Sequence, residues 1–142
     1  MNEQIKAKLE NKEFVTKVLE CKDEKEVKEL FAKDGINITD EEIQVLGAQI
    51  NVLADELKKL PENELEAISG GRRNAVDKVM DTIKILPRKV SDYMEDKKIV
   101  SHDTSVDIYN VAYLGEVAAI SIGTYVIVSK TMGVVKNWWN SL

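Results

Sequence analysis

Apolar residues in the first seventy positions recur at helical spacing between charged ones. Ile5 and Leu9, then Phe14, Val15, Val18 and Leu19, predict short amphipathic helices near the start. Asp23 is placed to cap a helix whose apolar side is Val27, Leu30 and Phe31. Asp34-Gly35-Ile36-Asn37 is a stop-and-turn signal. Thr39 and Glu42 then stand at capping-box spacing. Ile43, Leu46, Ile50, Leu53, Leu57 and Leu60 follow at steps of three and four, one stripe along the strongest helix in the chain. Pro61 is expected to interrupt or restart that helix. A short helical tail from Glu62 to Ile68 runs into Gly70-Gly71.

The pattern changes beyond residue 71. Val76, Val79, Met80 and Ile83 predict a short amphipathic helix reaching Pro87. Lys89 to Asp107 is mostly polar and reads as a loop with a helical portion around Tyr93 and Met94. Ile108 to Val135 is markedly apolar, with no charge between Val117 and Val128. Val106 to Val128 has about the length of a bilayer-spanning helix, although Asp107, Asn110 and Glu116 would be costly deep in lipid. Gly115, Ala119 and Gly123 lie four apart and would line one flat helix face suited to close packing. Lys130, Lys136, Trp138 and Trp139 have the character of interfacial residues. This stretch therefore has two readings: a membrane-active or helix-oligomerising peptide, or an ordinary buried helix or strand pair, since Ile120 to Val128 is rich in β-branched residues.

Charge divides the 142 residues the same way. The formal net charge of −5 is shared as −7 over residues 1–71, with ten Lys or Arg against seventeen Asp or Glu, and +2 over residues 72–142, with ten against eight. Two segments with different tasks are expected. Cys21 is the sole cysteine, so neither an intrachain disulfide nor a cysteine-based metal centre is available. It reads as a semi-buried structural thiol. His102, in Ser101-His102-Asp103-Thr104, reads as an exposed residue of a polar turn. The opening Met1-Asn2-Glu3-Gln4-Ile5-Lys6 lacks the apolar core of a secretory signal. No phosphate-binding glycine loop and no aromatic-basic nucleic-acid pattern is present. No catalytic residue, metal site or cofactor is expected from these residues.

The informative stretch is Leu57-Lys58-Lys59-Leu60-Pro61-Glu62-Asn63-Glu64-Leu65-Glu66-Ala67-Ile68-Ser69-Gly70-Gly71. Leu57, Leu60, Leu65 and Ile68 could enter a partner's groove from a helix. Gly70 and Gly71, with no side chains, could thread a narrow cleft in extended form. In these features, together with the short N-terminal helices, the Phe31-to-Ile38 turn and the long Thr39 helix, residues 1–71 resemble the nif-eleven-like leader peptides of ribosomally made peptide precursors. The resemblance implies a partner: a peptidase-containing ABC transporter with a papain-like cysteine protease domain. By the same resemblance, Leu57, Leu60, Leu65 and Ile68 would anchor in the protease groove. The chain would be cut after Gly71, before Arg72, and the cargo exported. All catalytic residues would belong to the partner. Thioether rings, which many such precursors acquire, need cysteine, and residues 72–142 have none.

The expected fold class is all-α: a leader of three to four short helices over residues 1–71, a flexible junction at Ser69 to Arg73, and a mostly helical or partly disordered cargo over residues 72–142. The expected function is that of a precursor to a bacteriocin-like peptide, cytoplasmic until the cargo is cut free and secreted. The competing expectation is a small helical binding or regulatory protein that is never processed and whose halves pack together.

Overall fold

The computed structural model describes residues 2–96, 112–132 and 137–141. His102, Asp107, Asn110 and Lys136 lie outside the described residues. The fold is all-α, and among the described residues there is no strand. Five helices precede Gly70, one more than the upper expectation: α1 (Asn2–Lys8), α2 (Lys12–Glu20), α3 (Glu24–Lys33), α4 (Asp40–Lys58) and α5 (Glu62–Ser69). The extra element arises because α1 and α2 are separate. The Asn11 side chain accepts the Phe14 N–H at 3.1 Å and so starts a new helix. Beyond Gly71 come α6 (Arg73–Lys84), α7 (Leu86–Asp96), α8 (Glu116–Met132) and a 3₁₀ turn at Trp138–Ser141.

The boundaries follow local chemistry. Asp23 accepts the Glu26 N–H at 2.9 Å and caps α3. Thr39 and Glu42 form a reciprocal capping box at the head of α4, at 3.1 and 3.0 Å. Pro61 occupies the N-cap position of α5, so the chain restarts there. Pro87 falls in the first turn of α7, where its missing N–H would have had no helical partner. The helical portion expected around Tyr93 and Met94 is part of α7, which also takes in Lys89 to Asp92, expected as loop. Leu86, Val90 and Tyr93, spaced four and three apart, give α7 an apolar edge that packs on α4.

Ile43, Leu46, Ile50, Leu53 and Leu57 of α4 are all buried, as a stripe of that period demands. One core joins them to residues from both sides of Gly71, including Phe14, Val18, Phe31, Ile68, Val79, Ala119, Ile122, Val126 and both tryptophans. Helix α8 packs against α2, α4, α5 and α6. It is apolar on nearly every face, and a helix of that kind needs cover from other apolar surface. Ala118, Ala119, Ile122 and Val126 are buried, while Val128 remains 47% exposed. The β-branched run from Ile120 is helical because its burial comes from neighbouring helices rather than from a sheet. No helix among the described residues is long and apolar enough to cross a membrane.

Candidate cleavage site and its packing

Ser69 closes α5, and Arg73 opens α6. Between them the chain makes a Schellman turn. Gly71 N–H reaches the Ile68 carbonyl at 3.0 Å, and Arg72 N–H reaches the Ala67 carbonyl at 2.9 Å. Gly71 has φ +74°, the left-handed conformation that this motif places just beyond a helix. The junction expected to be flexible is therefore a hydrogen-bonded turn, because it caps one helix and launches the next. Gly70, Gly71 and Arg72 are all exposed on its outer side.

The two glycines differ. Gly71 needs to lack a side chain, since left-handed φ penalises any Cβ by about 1–2 kcal/mol. Gly70 has φ −79° and ψ −1°, open to every residue type. A Cβ there would stand 3.2 Å from the Glu66 carbonyl oxygen one turn back, so that backbone oxygen would have to give by a few tenths of an ångström to admit it. The backbone angles thus require glycine at 71 and do not require it at 70.

The four residues expected to grip a peptidase divide differently. Leu65 is 0% exposed, and Leu57 and Ile68 are each 2% exposed. Leu60 is half-buried. Leu57, Leu60 and Ile68 line a groove of about 540 Å³ between α4, α5 and α6, with Arg72 on its wall. Ile68 also presses against Gly123 of α8. Ser69 Oγ lies 2.7 Å from Thr124 Oγ1, one residue further along both helices. Full exposure of Leu57, Leu65 and Ile68 would cost roughly 5–9 kcal/mol at the usual value of burial per side chain. That rivals the whole stability of an ordinary domain, about 5–15 kcal/mol. A partner can take these side chains only from an opened state in which α5 has left α8.

The role of the tail has no local sign in the sequence. Trp138 and Trp139, read as interfacial residues, are buried against α2. Their indole N–H groups donate to the Val18 and Leu19 carbonyls at 2.7 and 3.2 Å. Trp138 N–H donates to the Cys21 carbonyl at 3.1 Å. All three acceptors belong to the end of α2, where the last carbonyls of a helix lack intrahelical partners. Trp139 also stacks edge-on with Tyr125 of α8 at 5.0 Å, and the Asn51 amide of α4 donates to its carbonyl. Alternation in the sequence could not have found this site, because its partners are backbone atoms more than a hundred residues away.

Gln49 of α4 is fully buried, and its side-chain oxygen accepts the Tyr113 N–H at 2.9 Å. Cys21 is buried, and its thiol donates to the Lys17 carbonyl at 3.2 Å. Burial, aided by Glu26, Asp23 and Glu20, pushes that thiol up to about 11, so it is neutral near pH 7. Glu56 accepts from Lys89 of α7 at 3.2 Å, with Lys59 also near, and its carboxyl is held below the ordinary range, chiefly by the bond to Lys89. Arg73 bridges Asp77 and Glu116 at 2.8 and 2.9 Å, tying the start of α6 to the start of α8. Among the described residues, no three His, Cys, Asp or Glu side chains are grouped to hold a metal.

No known protein family matches this chain, and no curated protein or solved structure matches it either.

Proposed function

We propose that the chain is the precursor of an exported bacteriocin-like peptide, cut after Gly71 by the cysteine-protease domain of a peptidase-containing ABC transporter. The observation that carries this reading is Gly70. It is exposed, one residue before the bond to be cut, and its backbone angles do not call for glycine. A cleft too narrow for a side chain supplies the reason that those angles do not. Arg72, exposed after the bond, offers no obstacle to the protease. Leu57, Leu60, Leu65 and Ile68 supply the grip once α5 is drawn away from α8. The precursor then resides in the cytoplasm, and residues 72–142 are secreted. The test is incubation with the peptidase domain of such a transporter, followed by mass spectrometry. A 71-residue product beginning at Arg72 is expected, and an intact chain or a cut elsewhere refutes the reading.

A second reading has its own supporting observation. The indoles of Trp138 and Trp139 bond to α2, and α8 fills the core beside α4 and α5. Such integration suits a small helical binding or regulatory protein that is never processed. Under that reading, the chain recovered from its native cells has its full-length mass.

A further inference from the structure

Once the chain is cut after Gly71 and α5 settles back on α8, the two pieces are joined by everything except one peptide bond. We propose that residues 1–71 are a fitted receptor for the segment beyond Gly71, which they keep bound non-covalently after the backbone is severed. The inference rests on the precursor reading and adds a second task to the leader: retention of the cargo until force removes it.

Three separate contacts carry it. The first is the seat of α8. Gly123 lies against Ile68 so closely that a Cβ would come within 3.0 Å of the Ile68 Cγ2, and α2 and α4 cover the same helix. The second is the tail, where the two indoles and the Trp138 amide satisfy the end of α2. The third is Gln49, whose buried oxygen accepts the Tyr113 N–H at 2.9 Å, a bond that departure of the cargo would break. None of these contacts passes through the Gly70-Gly71 turn, which is on the surface and contributes caps to its own two helices. Cutting it ends those caps and leaves the buried contacts intact. A freed α8 would expose apolar surface on nearly every side, which opposes its escape into water. The occupant of this receptor surface is therefore the chain's own C-terminal half, and a motor that pulls on it is needed for release.

The experiment uses the folded full-length chain with a site for a sequence-specific protease inserted between Gly71 and Arg72, a surface turn that tolerates insertion. Circular dichroism first establishes that the uncut variant is folded, and limited trypsin cleavage at Arg72 of the unaltered chain gives a second nick without insertion. After nicking, gel filtration in native buffer is expected to show both fragments in one peak at the elution volume of the uncut chain. Guanidinium chloride should part them. Separate elution, or precipitation of the C-terminal fragment alone, overturns the proposal. The nick is made without the transporter peptidase, so a failure of retention and a failure of natural processing are read in different assays.

Discussion

Ile68 of α5 rests on Gly123 of α8 so closely that a β-carbon there would stand 3.0 Å from the Ile68 Cγ2. That contact joins the last turn before the double glycine to the middle of the most apolar helix. Gly123→Val should lower stability by about 1–3 kcal/mol through overpacking. Gly123→Ala should cost less, because alanine recovers up to about 1 kcal/mol of helix propensity. Ile68→Ala combined with Gly123→Ala should be less damaging than the sum of the two single changes, since the smaller residue makes the room the methyl needs. Urea unfolding of the four proteins measures the coupling.

The turn separates fold from cleavage. Gly71→Ala should destabilise by about 1–2 kcal/mol because its backbone is left-handed. Gly70→Ala should change stability by about 1 kcal/mol or less, since its backbone suits any residue. Both changes to a bulkier residue, Gly70→Val and Gly71→Val, should abolish the peptidase cut. Equal cleavage of the wild type and Gly70→Val would remove the main support for the precursor reading.

The tail reports on the seat of the cargo. Trp139→Ala should cost about 3–5 kcal/mol, as large core truncations do. Trp139→Phe keeps a ring beside Tyr125 but leaves the Leu19 carbonyl without its donor, for about 1–3 kcal/mol. Both tryptophans of the chain are in this segment. Undocking from α2 should therefore appear directly as a red shift of the emission.

Cys21 provides a chemical probe of the same end of α2. Near pH 8 its reaction with Ellman's reagent should be at least about 100-fold slower in the folded chain than in denaturant, because the thiolate is the reactive form. The unfolded thiol ionises near its ordinary value of about 8.5. Stability linked to the neutral thiol is therefore whole below that pH and lost as pH rises toward about 11. Tyr113, pushed up to about 12 by burial and then by Glu42, acts in the same direction at higher pH. Cys21→Ser should flatten the lower part of this alkaline slope in a pH series of urea midpoints.

Local signals in the sequence were the readable ones. Asp23, the Thr39–Glu42 box, the Ile43-to-Leu57 stripe and the Pro61 restart all act within a few residues, and each appears where spacing places it. The separation of α1 from α2 and the helix through Lys89 depend on one side-chain cap and on packing against α4, which are weaker local signs. The surfaces that cover Leu65, Ile68 and the tryptophans were not readable, because an apolar residue on a helix does not declare what will cover it; close packing at Gly123 was legible from its spacing, but its partner Ile68 was not. The stretch around Gly70 was legible as a motif, yet the unequal needs of the two glycines emerged only from their backbone angles.

The indole of Trp138 closes on the Val18 carbonyl across 120 residues of chain. During translation, Val18 leaves the ribosome long before Trp138 exists, so its helix end must wait without the indole, its carbonyl held by the Cys21 N–H alone or with water. The same delay applies to the floor under α8. The N-terminal half is therefore synthesised with an unfilled apolar seat, and during that interval a chaperone or another helix could occupy it before the chain's own later residues arrive.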